Sequence, residues 1–205
     1  MRSHPLPVTA PPRLAAAVLA VLTALCAAVV PVSAAHAETF RAHDRAHDVW
    51  RLTRAGDGDD YLAAPTRRNP DILRFAVRHG RSQLVLRARL RDAFIPPVRT
   101  GELRLRAEIA HDGLVGDVTV QATARHRQGR VSVFGRDGDC RGGTSRIDYR
   151  REVVRVSVPT SCLGDPEWVR VGFSVWSMDR SYVWEDVALT SRKAVDRRTP
   201  RIHRG

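Results

Sequence analysis

From about residue 70 onward the chain alternates apolar and polar residues with a period of two, the pattern of strands with one buried face. Leu73, Phe75 and Val77 alternate with Arg74, Ala76 and Arg78. His79-Gly80-Arg81 turns the chain into Leu84, Leu86, Ala88 and Leu90, set against Arg87, Arg89 and Arg91, and the two runs predict a hairpin. Leu103, Leu105, Ala107 and Ile109 form the next run, and His111-Asp112-Gly113 turns it back into Val118, Val120, Ala122 and Ala124. Val131 and Val133 follow, then Ile147 and Tyr149, then Val154, Val156 and Val158, closed by Pro159. The last clear strand is Trp168 to Trp176, with Val169, Val171, Phe173 and Val175 on one face. No segment past residue 37 keeps a helical period. Eight or so short strands joined by turn residues predict an all-β fold, an antiparallel β-sandwich of jelly-roll-like type. The arginines on the outer faces keep such sheets soluble and discourage edge-to-edge pairing.

The first residues follow a different logic. Arg2 and Arg13 precede an apolar stretch from Leu14 to Val32, and small residues with Ala35-His36-Ala37 follow. This is the three-part pattern of a secretory signal peptide, cleaved near residue 37. The run is long enough to span a bilayer, but Pro31 and the small residues after it favour cleavage, and no basic stop-transfer cluster follows. No later segment could cross a membrane as a helix. The reading is therefore a signal peptide over 1–37, a linker over 38–47, a sandwich domain over 48–190 and a basic disordered tail over 191–205. The expected product is a secreted monomer, extracellular or associated with the cell wall.

Export changes how the cysteines are read. Cys26 leaves with the signal, so Cys140 and Cys162 remain, about 22 residues apart. In an oxidising compartment they predict one disulfide, and no histidine lies near enough in sequence to make them a metal site.

The 205-residue chain carries a formal net charge of +12, almost all of it from arginine. The charge is densest at the end, where Arg192, Lys193, Arg197, Arg198, Arg201 and Arg204 face only Asp196. Such a tail attracts anionic polymers without directionality. Export argues against nucleic acid as the partner and for an anionic cell-envelope polymer, a glycan or a lipid head group. A solvated tail with no partner is the plainer reading.

Two stretches carry a resemblance. One is Asp71-Ile72 through Val77 and His79 and on from Leu84-Val85 to Asp92. The other is Val156-Ser157-Val158-Pro159-Thr160-Ser161-Cys162-Leu163-Gly164 with Pro166, Trp168, Val169, Arg170 and Val171. They resemble small, uncharacterised secreted β-rich proteins of high-GC Gram-positive bacteria, whose pattern is similar to that of sandwich-type carbohydrate-binding modules. The resemblance implies a fold and a location. It implies no active site.

Candidate chemistry is sparse. His43 and His47, in the repeat Arg41-Ala42-His43-Asp44-Arg45-Ala46-His47-Asp48, stand four apart and would share a helix face, as in a zinc site. A tandem duplication in a linker explains the repeat equally well. Asp57, Asp59 and Asp60, joined by Asp71, could offer oxygens to Ca²⁺, or Asp57, Asp59 and Asp60 could form a polar turn. No G-x-S-x-G elbow is present, and no cofactor is expected unless that cation binds. Trp168, Trp176, Tyr182 and Trp184 could stack on sugar rings if their face is open, or fill the core if it is covered. The expected function is a non-catalytic binding or envelope-associated module. A metal-dependent hydrolase and a passive structural envelope protein are the alternatives.

Overall fold

The computed structural model describes residues 37–53, 61–135, 138–190 and 197–205. The strands in chain order are β1 (Glu38–His43), β2 (Trp50–Thr53), β3 (Leu62–Ala63), β4 (Ile72–His79), β5 (Gln83–Leu90), β6 (Glu102–His111) and β7 (Leu114–Thr123). They continue as β8 (Arg130–Gly135), β9 (Gly138–Cys140), β10 (Thr144–Asp148), β11 (Val153–Pro159), β12 (Trp168–Met178), β13 (Tyr182–Val187) and β14 (Ile202–His203). The one helical element among the described residues is a 3₁₀ turn at Thr160–Leu163, so none is long and apolar enough to cross a membrane.

Two antiparallel sheets result. The first has the order β1-β4-β5-β11-β10; the second runs β3-β2-β13-β12-β6-β7-β8-β9, with β14 paired to β12 off that path. The period-two pattern explains why they stack. Phe75, Val77, Leu84, Leu86, Val154 and Val156 of the first sheet are buried, as are Leu105, Ile109, Val118, Val120, Val171 and Phe173 of the second. The rings of Phe75 and Phe173 stack with centroids 4.7 Å apart and thereby join the sheets. The fold is an all-β sandwich, and both predicted hairpins, β4–β5 and β6–β7, form.

The Cys140–Cys162 disulfide is present with the Cα atoms 5.5 Å apart. It ties β9 to the 3₁₀ turn after β11. Beside it, a Cβ on Gly135 would lie 1.8 Å from the Cys162 carbonyl oxygen, so the close approach of β8 to that turn needs glycine.

The sequence boundaries need three corrections. Residues 38–47 are not a linker: Glu38–His43 is a full edge strand, registered from Glu38↔His79 to His43↔Arg74. The strand has a single large apolar residue, Phe40, which sets no period and hid it. The end of the chain is not a disordered tail. Residues 197–205 lie along β12, with Ile202 and Thr199 buried and Val169 paired to Ile202. Residues 191–196 lie outside the described residues, as does the predicted export segment apart from Ala37. Tyr182–Val187, where no strand was expected, pairs with both β12 and β2.

Candidate functional site

The outer face of the first sheet carries an arginine row. Register sets Arg41 of β1 beside Ala76 of β4, Ala76 beside Arg87 of β5, Arg87 beside Arg155 of β11, and Arg155 beside Arg146 of β10. The four arginines are exposed. Strands lie ~4.8 Å apart, so the row spans roughly 19 Å. The next row holds His43, Arg74 and Arg89 in the same register. Ala76 is the one small side chain in the row, and the face is hollowed into a groove of about 680 Å³. Its walls include Arg41, Arg74, Arg87, Arg89 and Arg151, and Glu152 is the only acid lining it among the described residues.

The contrast with the second sheet is chemical. There Arg104 meets Glu102 at 2.6 Å, and Arg106 meets Asp117 at 2.6 Å and Glu108 at 3.4 Å. Among the described residues, no arginine of the groove has an ion-pair partner. Like charges directly opposite one another on neighbouring strands are destabilising, and this sheet sets three in succession: Arg87, Arg155 and Arg146.

The aromatic candidates do not form one patch. Trp168 and Trp176 share the outer face of β12 but stand eight residues apart, about 26 Å along a strand. A guanidinium lies over Trp168, from Arg201 at 4.4 Å. The Trp176 indole N–H donates to Glu185 Oε1 at 2.6 Å. Tyr182 and Trp184 point to the opposite face of the sheet, since Trp184 is registered with buried Ser177 while Trp176 is registered with Glu185. Arg67 covers Trp184 at 3.8 Å and Arg51 covers Tyr182 at 4.9 Å. All four rings are half-buried.

The tail arginines that can be described are engaged with their own fold. Arg198 pairs with Glu108 at 3.2 Å, Arg204 with Asp165 at 3.6 Å, and Arg197 donates to the Leu189 carbonyl. These tail arginines are therefore held against the body of the protein, whereas the groove arginines have no such ion pairs among the described residues.

The histidine pair does not form a metal site. His43 ends β1 on the groove face, and His47 sits in a turn with a left-handed backbone, φ 73°. Its ring Nδ1 lies 2.9 Å from both the Pro65 carbonyl oxygen and Arg91 Nη1. With no helix, the four-residue spacing gives no common face.

The aspartates of the same repeat do converge. Asp48 meets Asp71, just before β4, and Asp186 of β13, and Asp44 lies near enough to feel the charge of Asp48 and Asp71. Oxygens of Asp48, Asp71 and Asp186 lie within 4.8 Å of one another. Asp71 and Asp186 have 0% exposed surface. Burial pushes Asp186 up to about 9, reinforced by the negative charges of Asp48, Asp44 and Asp71 and opposed by the Ile72 N–H. Burial and the nearby Asp48 raise Asp44 to about 7, and burial first, then Asp71, raises Asp48 to about 6. Of the expected calcium ligands, Asp71 is here; Asp57, Asp59 and Asp60 lie outside the described residues. Sequence reasoning missed Asp44, Asp48 and Asp186. The available signal was the Asp that closes each copy of the repeat, passed over in favour of the histidines.

No known family model, no curated protein and no solved structure matches this chain.

Proposed function

We propose that this protein is an exported, non-catalytic module that binds an extended acidic polysaccharide of the cell envelope through the arginine groove. One observation carries the reading: a row of arginines held in register on adjacent strands, with no ion-pair partner among the described residues. A guanidinium fork takes a carboxylate bidentately. The strand spacing of ~4.8 Å is close to the length of one sugar ring in an extended chain. An acidic chain lying across the strands then meets a guanidinium at nearly every ring, with the gap at Ala76 leaving room for a ring to sit low. The signal-like first 37 residues and the disulfide favour an oxidising destination outside the cell. The non-catalytic reading is supported by the groove itself, where Glu152 is the only acid among the described residues, so the described lining offers no carboxylate pair for acid–base work.

The test is retention on immobilised polygalacturonate, on neutral dextran and on isolated cell walls, across a salt series. Retention is expected on the first and third at low salt, weakening as ionic strength rises. The double variant Arg87→Gln/Arg155→Gln is expected to bind at least about tenfold more weakly, since charged hydrogen bonds contribute roughly 1.5–3 kcal/mol each. The same variant should be no less stable than the parent, because relieving like-charge pairs returns about 0.2–1 kcal/mol each. Undiminished retention by the double variant, or equal retention on dextran, removes the reading.

A further inference from the structure

The aspartate cluster is independent of the groove and rests on different observations. Its carboxylates share a pattern. Asp44 Oδ1 accepts the Leu189 N–H at 3.0 Å, Asp71 Oδ2 accepts the His47 N–H at 3.0 Å, and Asp186 Oδ2 accepts the Ile72 N–H at 2.6 Å. In each case the other oxygen is left over. Asp44 Oδ2, Asp71 Oδ1 and Asp186 Oδ1 are buried without a hydrogen-bond partner, and so are both oxygens of Asp48. The fold thus orients each of these three carboxylates with one oxygen and strands the other.

Stranded carboxylate oxygens are expensive to bury, and like charges this close repel. The positive groups facing the cluster do not balance it. Arg91 reaches Asp71 Oδ2 at 3.1 Å, the same oxygen that His47 N–H already bonds, and its guanidinium also touches the His47 ring. No cation reaches the stranded oxygens of Asp48, Asp71 or Asp186 among the described residues. The backbone is also held in unfavourable conformations to build the arrangement. Leu189 and His47, the two residues whose N–H groups orient Asp44 and Asp71, both have left-handed φ, at 72° and 73°, a region costly for side chains other than glycine.

We propose that Asp48, Asp71 and Asp186 form the core of a binding site for a hard divalent cation, Ca²⁺ first, with Asp44 closing one side. The donors are all carboxylate oxygens with no thiolate or imidazole among them, which selects an oxygen-seeking ion over zinc or copper. The stranded oxygens supply most of the six to eight ligands that Ca²⁺ takes; water or main-chain carbonyls complete the shell. The cation neutralises the carboxylates beyond what Arg91 and the more distant Arg45 supply. It also clamps three parts of the chain: the turn after β1, the entry to β4 and the end of β13.

The experiment uses the purified protein stripped with chelator and titrated with CaCl₂, followed by calorimetry and thermal unfolding. One equivalent of Ca²⁺ should bind, and at a hundredfold excess over Kd the melting temperature should rise by roughly 5–10 °C. Asp48→Asn and Asp186→Asn should each abolish most of that shift. Without calcium, Asp186→Asn should melt close to the stripped parent, because asparagine keeps the shape of the side chain and brings no charge into the buried set. Should Asp186→Asn fail to fold, Asp48→Asn, at a half-exposed position, still decides the matter. A stripped parent whose melting is indifferent to Ca²⁺, Mg²⁺ and Mn²⁺ overturns the proposal, as does a full calcium shift retained by Asp48→Asn. Either outcome leaves the polysaccharide test untouched.

Discussion

At the scale of single residues, His79 shows how one side chain makes a fold sensitive to pH. Its ring has no exposed surface. Nδ1 lies 3.0 Å from the Ile202 carbonyl oxygen, which can only accept, so Nδ1 carries the proton and donates. Nε2 is buried without a partner. Burial holds the imidazole below its usual value, opposed by the Ile202 bond, with Arg204 and His203 adding to the depression and Glu38 opposing it. A histidine with a depressed folded value binds its proton more readily when unfolded. The folded state is therefore fully favoured above about pH 6.5 and loses stability as pH falls from there towards the folded value. His79→Phe keeps the shape and removes the titration. It should melt slightly lower than the parent at pH 8, for want of one hydrogen bond worth about 1 kcal/mol, and should lose less between pH 6.5 and 5. Parallel melting curves for the two proteins across that range would refute this account.

At the scale of elements, the end of the chain is the clearest case of structure that composition concealed. Its arginines look like a solvated tail, yet Ile202 is 1% exposed and sits at the His79 end of the core. Two residues of β14 hold it, with the Thr199 hydroxyl accepting the Val171 N–H at 3.0 Å and the Arg204 N–H donating to the Glu167 carbonyl at 2.8 Å. Ile202→Ala should therefore destabilise the protein by about 2–4 kcal/mol, as a cavity in a packed core does, where a free tail would show nothing; urea unfolding measures it. The long strands were legible because each carries three or more alternating apolar residues, as Leu103 to Ile109 does. β1 and β14 were not, because Phe40 and Ile202 are single apolar anchors and one residue sets no period. The site was legible only in its parts. Asp71 could be singled out and the arginines could be seen on outer faces. Which arginines stand side by side depends on register between strands far apart in sequence, as with Arg87 and Arg155, and the meeting of Asp48 with Asp186 depends on sheet topology. Neither is a local property of the sequence.

At the scale of the whole molecule, the two sites share one strand. β1 is the edge of its sheet and pairs only with β4. It carries Arg41 and His43 at the groove, and Asp44 follows directly, its N–H donating to the Leu73 carbonyl and its carboxylate turned into the cluster. A cation held by Asp48, Asp71 and Asp186, with Asp44 at its side, fixes the end of β1 against β4 and β13. It therefore fixes the first guanidinium of the row. Removing the cation should let that edge fray while the interior strands β5 and β11 keep Arg87 and Arg155 in place. The expected result is a partial loss: chelation weakens binding to polygalacturonate several-fold without abolishing it. Arg41→Gln should bind at about the level of the chelated parent and respond little to chelation itself, since the group whose position the cation governs is already gone. Two perturbations acting through one residue are not additive. If chelation and Arg41→Gln weaken binding by independent, additive amounts, the coupling through β1 is wrong even where both sites are real.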